Sequence, residues 1–211
     1  MILAKNIKKK FSKNILNDIT FLANNGEIVG VAGENGSGKS TLLSILAGIM
    51  LPDVGDIDIN GKIGYVPQDT SLFENLSVRD NLQFWASAYN APLTTGEQLP
   101  HKLLNRIDQN LKVKHLSGGM KKRVSIALAC LNDPDWLIMD EPTSALDIGF
   151  KGMLFQMIED IRQNGKGVVF TTHQPDELLW CDRIYILRDG VFIYEGSPKN
   201  MNDLSDILYG W

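Results

Sequence analysis

The segment from Gly33 to Ser40 constrains the fold of this chain most strongly, because it must lie between a strand and a helix. It reads Gly-Glu-Asn-Gly-Ser-Gly-Lys-Ser and fits the pattern G-x-x-x-x-G-K-[ST] at every position. The apolar run from Glu27 to Ala32 predicts a buried strand before it. Apolar residues at helical spacing between Lys39 and Ile49 predict a helix after it. The sequence therefore predicts a strand–loop–helix unit.

A glycine-rich loop in that position is typical of phosphate binding. Glycines allow successive backbone N–H groups to converge on phosphate oxygens. The side chain of Lys39 is then placed to reach the β and γ phosphates, and the hydroxyl of Ser40 to ligate Mg²⁺. An ordinary glycine-rich turn is the alternative, and the flanking strand and helix both disfavour it. The pattern indicates an α/β protein of the P-loop NTPase class.

A second turn suited to phosphate occurs at Leu116–Gly119. Ser117 is followed by two glycines at the start of an amphipathic run that predicts a helix as far as Leu131. A hydroxyl and unhindered N–H groups at a helix N-terminus bind anions well. Because one nucleotide needs one such cradle, this turn is predicted to serve the nucleotide of a neighbouring molecule.

Two adjacent carboxylates follow the apolar segment Leu137–Met139. Asp140 is predicted to hold Mg²⁺, directly or through water, and Glu141 to polarise the attacking water. Placing two charges at the end of a buried strand is costly unless they have partners, which favours a functional role. An exposed acidic turn is the alternative interpretation.

Strand and helix patterns alternate from Trp136 to Leu187. This order predicts a mostly parallel sheet with helices on both faces. Alternating residues at Ile57–Ile59, followed by Asn60-Gly61, predict a strand and a turn. We expect this strand to pair with Ile63–Val66 and to contribute to a small antiparallel β lobe.

Helical spacing at Ser77–Tyr89 and His101–Leu111 predicts a helical insertion within the α/β core, with turn-forming residues at Asn90–Pro100 between the helices. We expect one domain over residues 1–211, with a helical subdomain at about residues 70–130. A short helix is also predicted at Leu204–Leu208.

The charge balance limits the possible partners. The net charge is −4, whereas nucleic-acid binders usually carry a basic excess, so nucleic acid is not expected as a partner. The basic runs Lys8–Lys10 and Lys121–Arg123 are predicted to be solvated faces. No apolar run approaches the ~18 residues that span a bilayer, and the N-terminus lacks the order of a secretory signal, so we expect a cytosolic protein.

Taken together, the motifs resemble those of the nucleotide-binding subunit of an ATP-binding cassette (ABC) transporter. The resemblance covers the chain from about Phe11 to beyond Gly190. It depends on six motifs in the family's order: Gly33–Ser40, Gln68, Leu116–Gly119, Asp140-Glu141, Ser144–Asp147 and His173.

The resemblance implies a role for each motif. Phe11 would stack on adenine, Asp147 would cross a dimer interface, and Gln68 would touch Mg²⁺ and sense a membrane subunit. Glu141, His173 and Gln68 form the implied catalytic set, and Ser40, Gln68 and Asp140 the Mg²⁺ set. The implied ATP contacts are Phe11, Gly33, Glu34, Asn35, Gly36, Ser37, Gly38, Lys39, Ser40, Thr41, Ser117, Gly118, Gly119 and Asp147.

The resemblance also implies the partners. Two cassettes, identical or different, would associate head to tail and sandwich ATP, and a separate membrane permease would hold them at the inner face of the cell membrane. Met120 replaces the glutamine most frequent in the family at that position. The segment Leu116–Arg123, together with Phe73–Leu82, is similar to exporter-type cassettes.

Other functions remain open at this point. A non-transport ABC ATPase would act in DNA repair or translation, and such proteins usually carry a long coiled coil or two cassettes. A small-molecule P-loop kinase would not need Ser117–Gly119. A nucleotide-gated module that signals across a membrane complex would have the same motifs as a transporter subunit.

Overall fold

The computed structural model of the chain describes residues 1–91, 99–144 and 146–198. In chain order, its elements are β1 (Ile2–Lys10), β2 (Asn14–Ala23), β3 (Ile28–Ala32), α1 (Lys39–Leu46), β4 (Val54–Ile59), β5 (Ile63–Val66), α2 (Val78–Ala88), α3 (Leu99–Leu104), a 3-10 turn (Val113–His115), α4 (Gly118–Ala129), β6 (Trp136–Met139), α5 (Ile148–Gln163), β7 (Gly167–Thr172), α6 (Pro175–Leu178), β8 (Arg183–Arg188) and β9 (Val191–Gly196).

The larger sheet has six strands in the order β5-β6-β7-β3-β8-β9. The first five strands run parallel to one another, and β9 pairs antiparallel with β8 at the edge. The predicted mostly parallel sheet is therefore confirmed. Parallel strands end at the same edge of the sheet, so the segments after β3, β5, β6 and β7 converge there.

Alternate residues of the central strands enter two different cores. On β6, Leu137 and Met139 pack with residues of α4 and α5, whereas Trp136 and Ile138 pack with α1 and the smaller sheet. Full burial of both faces explains why the strand sequences are apolar throughout. Helices thus cover both faces of the sheet, as predicted.

The smaller sheet is antiparallel and has the order β2-β1-β4. The predicted pairing of Ile63–Val66 with Ile57–Ile59 is wrong, because β4 pairs with β1 and β5 lies parallel to β6. The turn at Gly61, with a φ of 111°, carries the chain from one sheet to the other. Reciprocal hydrogen bonds between Lys62 and Asp135 then hold the starts of β5 and β6 together.

Helices α2, α3 and α4 lie between β5 and β6 in the chain, where the helical insertion was predicted. Ser77 begins α2 with a reciprocal capping box to Asp80. The predicted helix at His101–Leu111 is too long, since α3 ends at Leu104 and Arg106 has a positive φ of 65°. Most of the predicted turn at Asn90–Pro100 and the helix at Leu204–Leu208 lie outside the described residues.

Two further predictions bear on the surface of the molecule. The basic run Lys121–Arg123 is not a solvated face, because the side chain of Lys122 is buried. Within residues 1–91, 99–144 and 146–198, no helix is both long and apolar enough to cross a membrane.

Candidate functional site

The segment Gly33–Ser40 follows β3 and enters α1, as the motif requires. A Cβ on Gly33 would lie 2.2 Å from the backbone oxygen of Leu187, so only glycine fits there. Gly38 precedes α1 with a φ of 110° and no side-chain cap. The first N–H groups of α1 therefore have no side-chain acceptor from the N-cap residue, which is the arrangement that binds phosphate.

Lys39 lies folded over this loop. Its ammonium donates to the backbone oxygens of Gly33 at 2.8 Å and Glu34 at 2.9 Å. Burial lowers the pKa of Lys39, while the nearby carboxylates of Glu141 and Asp140 oppose that shift. The cation is thus held between the loop and the two acidic residues, where a triphosphate would complete its surroundings.

The loop also contains a polar group suited to a ligand. The hydroxyl oxygen of Ser37 is buried, and among the residues that the structure describes it has no hydrogen-bond partner. Buried polar groups are nearly always paired, so an orphaned hydroxyl beside glycine N–H groups fits a phosphate oxygen. Ser40 is exposed in the first turn of α1, and Thr41 is half-buried next to it.

Asp140 and Glu141 come directly after β6 and are held by the neighbouring strand β7. The hydroxyl of Thr171 donates to Oδ1 of Asp140 at 2.5 Å and accepts from the backbone N–H of Glu141 at 2.8 Å. The backbone N–H of Asp140 donates to Val66 at 2.8 Å. These contacts fix a buried carboxylate at the end of the sheet.

The carboxylate of Glu141 meets two of the other predicted catalytic residues. Nε2 of Gln68 donates to its Oε2 at 3.3 Å, and Nδ1 of His173 lies 3.5 Å from its Oε1. The three residues follow β5, β6 and β7, which explains why they meet. A carboxylate placed between an amide and an imidazole can accept a proton from a bound water.

The second phosphate turn is formed by the start of α4. The hydroxyl of Ser117 accepts a hydrogen bond from the backbone N–H of Met120 at 3.2 Å and caps the helix. Asp147 caps α5 through a 2.8 Å hydrogen bond from Phe150. Both caps border one open cavity of about 250 Å³, which is lined by Ser117, Gly118, Gly119, Met120, Arg123, Leu146, Asp147 and Phe150.

This second turn does not complete the chain's own first one. Among the described residues, no hydrogen bond or ion pair joins Ser117–Gly119 to Gly33–Ser40.

Phe11 lies in the turn between β1 and β2, with 54% of its surface exposed and the ammonium of Lys9 at 5.6 Å from its ring centroid. The start of β2 packs against Gly38, which brings this turn toward the loop.

Thr171 and Lys122 belong to the site although their residue types gave no signal. The register of β6 and β7 pairs Met139 with Phe170, so the next residues, Asp140 and Thr171, are neighbours. That pairing is predictable once two parallel strands are known to be adjacent. Lys122 donates to the backbone oxygens of Pro67 at 3.2 Å and Gln68 at 2.8 Å.

Comparison with known proteins bears on the same residues. The family model described as ABC transporter matches residues 16–144, more than half of the chain. The chain belongs to the ABC transporter family. The linearmycin resistance ATP-binding protein of Bacillus subtilis (strain 168) is 34% identical over 220 residues, which cover 95% of this chain and 70% of that protein.

Other relatives and solved cassettes agree. Nod factor export ATP-binding protein I of Burkholderia lata is 34% identical over 214 residues, covering 92% of this chain and 70% of that protein. A dimeric ATP-binding cassette in a post-hydrolysis state with ADP and phosphate has a TM-score of 0.85 at 28% identity, covering 95% of this chain and all of that one. The chain is accordingly an ATP-binding and ATP-hydrolysing ABC subunit with the P-loop NTPase fold.

Proposed function

We propose that the cassette exports a substrate through a separate membrane permease, driven by ATP bound between two cassettes. The observation that carries this proposal is the cluster of Gln68, Glu141 and His173 at the end of the sheet, with a second phosphate turn at Ser117 that faces its own cavity. One protomer thus carries the first phosphate loop with its catalytic cluster and also the second phosphate turn. In the proposed dimer, these two parts contact different ATP molecules.

The residues of the first half have distinct roles in binding. Lys39 and the N–H groups of the loop hold the β and γ phosphates, the hydroxyl of Ser37 contacts a phosphate oxygen, and Phe11 stacks on adenine. Ser40 and Asp140 would hold Mg²⁺, with Gln68 beside it. When bound, Mg²⁺ neutralises negative charge that develops on the phosphate oxygens.

Hydrolysis then follows from the position of Glu141. A water between Glu141 and the γ phosphate gives a proton to the carboxylate as its oxygen bonds to phosphorus, while the bond from phosphorus to the β-γ bridging oxygen breaks and ADP leaves. Gln68 holds the carboxylate from one side, and His173 contacts the γ phosphate from the other. The products are ADP and inorganic phosphate.

The second half binds the ATP of the partner cassette. Ser117–Gly119 contact the γ phosphate across the interface, and Asp147 lies beside them at the same surface. A shift from 1% to 99% closed dimer requires about 5.5 kcal/mol, so each of two ATP molecules needs to supply less than about 3 kcal/mol. A few charge-assisted hydrogen bonds have this magnitude, and hydrolysis removes them.

An exposed aromatic cluster close to Gln68 in the chain supports the membrane partner. The rings of Phe73, Phe84, Trp85 and Tyr89 contact one another in sequence, with Phe84 half exposed. The contacts of Phe84 with Phe73 and Trp85 are edge-to-face, whereas Trp85 stacks on Tyr89. We assign this cluster to an apolar segment of the permease, since exposed apolar patches of this kind mark interaction sites. The cassette would then lie in the cytoplasm at the inner face of the membrane. The names of the relatives, which include export and resistance proteins, favour export.

Substitution of the proposed base tests this function. Glu141→Gln removes the proton acceptor and keeps the side-chain shape, so steady ATP hydrolysis should fall by about 10² to 10⁴-fold. ATP binding should persist, and the variant should become dimeric in ATP and remain monomeric in ADP on size-exclusion chromatography. Hydrolysis within twofold of the parent rate, or a variant that stays monomeric in ATP, would contradict the proposal.

A further inference from the structure

Lys122 is a buried cation whose partners are backbone atoms of another segment. Only 3% of its surface is exposed, and its ammonium donates to the backbone oxygens of Pro67 and Gln68. Burial lowers its pKa, and the carboxylates of Asp140 and Glu141 oppose that effect. Because burying a lysine is costly, the contact is expected to have a purpose.

The two neighbours of Lys122 in the chain have different partners. Lys121 forms an ion pair of 2.7 Å with the exposed Glu74. Arg123 donates to the backbone oxygen of Leu103 at 2.9 Å and lies 4.6 Å from the ring centroid of Phe150. Within this basic run, Lys122 is thus the residue that reaches the segment of Gln68.

The contact joins two parts of the proposed mechanism. Lys122 is five residues after Ser117 on the same helix, a rise of about 7.5 Å along a rigid element. At the other end, Nε2 of Gln68 donates to Oε2 of Glu141 at 3.3 Å. A displacement of the Ser117 turn therefore has a short path to the carboxylate of Glu141: along α4, through Lys122, and through Gln68.

We propose that Lys122 is a positioning residue that couples the phosphate turn at Ser117–Gly119 to Gln68 and Glu141. The two ends serve different nucleotides, since Ser117 contacts the ATP held by the partner and Glu141 acts on the protomer's own ATP. Lys122 makes hydrolysis of one ATP depend on the presence of the other. This inference rests on the proposed ATP-sandwiched dimer.

Kinetics of three variants test the inference. Lys122→Met removes the donors and keeps the length of the side chain, and Lys122→Arg keeps the charge. Lys121→Met is the matched control at the neighbouring, partly exposed lysine. ATP hydrolysis is measured against ATP concentration, and ATP binding by equilibrium titration. We expect Lys122→Met to lower kcat about tenfold or more, because small misplacements of catalytic groups are costly. Its KM should stay within twofold of the parent value.

The dependence on ATP concentration separates coupling from a loss of structure. The parent should show a Hill coefficient above 1, which Lys122→Met should reduce to 1 and Lys122→Arg should partly restore. Lys121→Met should match the parent. In the Glu141→Gln background, Lys122→Met should still dimerise with ATP, since Ser117 is unchanged.

Three results would overturn the inference. The first is a Lys122→Met variant with the parent's kcat and Hill coefficient. The second is a loss of kcat that Lys122→Arg shares with Lys122→Met while the Hill coefficient stays unchanged, and the third is a loss of ATP binding in Lys122→Met together with a lower Tm. A parent protein that fails to hydrolyse ATP, or whose Glu141→Gln form stays monomeric in ATP, would instead contradict the proposed function.

Discussion

The hydroxyl of Thr171 lies 2.5 Å from Oδ1 of Asp140 and donates a hydrogen bond to that carboxylate. The same oxygen accepts from the backbone N–H of Glu141, whose φ of 45° is unusual for a residue other than glycine. One threonine on β7 therefore fixes both the proposed Mg²⁺ ligand and the backbone that aims the proposed base. Holding a residue in a sparsely populated conformation requires such support from its surroundings.

We predict that Thr171→Val slows hydrolysis more than it weakens ATP binding. Valine keeps the shape of threonine but leaves the buried Asp140 carboxylate and the Glu141 N–H without this partner, which costs about 1–3 kcal/mol in the free energy of unfolding. We expect kcat to fall at least about tenfold, because the variant loses the two hydrogen bonds that orient Asp140 and Glu141. Steady-state kinetics and urea unfolding measure the two effects. Thr20→Val, an exposed substitution on β2, is the control and should change neither quantity appreciably.

Ser117 has two proposed functions that substitution can separate. Its hydroxyl caps α4, and the same group is proposed to contact the partner's ATP. Ser117→Asp retains a good N-cap, whereas its charge repels a γ phosphate. We predict that this variant keeps the parent's stability and loses dimerisation in ATP, as measured in the Glu141→Gln background by light scattering.

Ser77 provides a matched control for that experiment. It caps α2 through the same kind of bond, from the backbone N–H of Asp80 at 3.0 Å. Replacing either serine with alanine should cost about 1 kcal/mol in the free energy of unfolding. The Ser77 variant should nevertheless dimerise in ATP like its parent. Dimerisation of Ser117→Asp with ATP would show that the turn does not contact the nucleotide.

The sequence predicts the parts of the site that belong to continuous motifs. The loop at Gly33–Ser40 has the expected strand before it and helix after it, because the pattern itself requires both. The meeting of Gln68, Glu141 and His173 agrees with the resemblance, since all three follow parallel strands. Their catalytic roles remain predictions.

The features missed from the sequence depend on contacts between distant segments. The pairing of β5 with β6 was not predicted, because a turn at Asn60-Gly61 suits a hairpin as well as a change of sheet. The sequence predicts a solvated face for Lys122, because a basic run contains no information about backbone oxygens that another segment contributes. Side-chain charge patterns report local exposure poorly when another segment covers the helix.

Two glycines should respond in opposite ways to replacement by alanine. A Cβ on Gly38 would lie 2.9 Å from Cδ2 of Leu16 and 3.0 Å from the backbone oxygen of Ile15, at a φ of 110°. Gly38→Ala should therefore lower the Tm and abolish ATP binding. Gly152, within α5, has no atom within 4 Å of its Cβ position, so Gly152→Ala should raise the free energy of unfolding by about 0.5–1 kcal/mol. Thermal unfolding measures both, and a destabilised Gly152→Ala would contradict the packing described for α5.

A buried ion pair beside His173 is the last feature that yields a prediction. The carboxylate of Glu177 is fully buried, and the ammonium of Lys151 lies 2.6 Å from its Oε1. Lys151 also donates to Oε1 of Gln174 at 2.8 Å, while the hydroxyl of Thr172 donates to Glu177. These contacts hold both neighbours of His173.

Lys151→Met alone should lower the free energy of unfolding more than Lys151→Met combined with Glu177→Gln. Alone, it leaves a buried carboxylate unpaired, at a cost of about 3 kcal/mol, the lower end for such pairs because Lys151 is partly exposed. Lys151→Met combined with Glu177→Gln removes both charges and should recover part of that loss. Urea unfolding measures this difference, and kcat should fall in the single variant because His173 is no longer held. Lys166→Met, which breaks an exposed pair with Asp133, should cost less than about 1 kcal/mol and leave kcat unchanged. If the double variant is less stable than Lys151→Met by the full cost of a second substitution, the two residues are not coupled and the pair does not position His173.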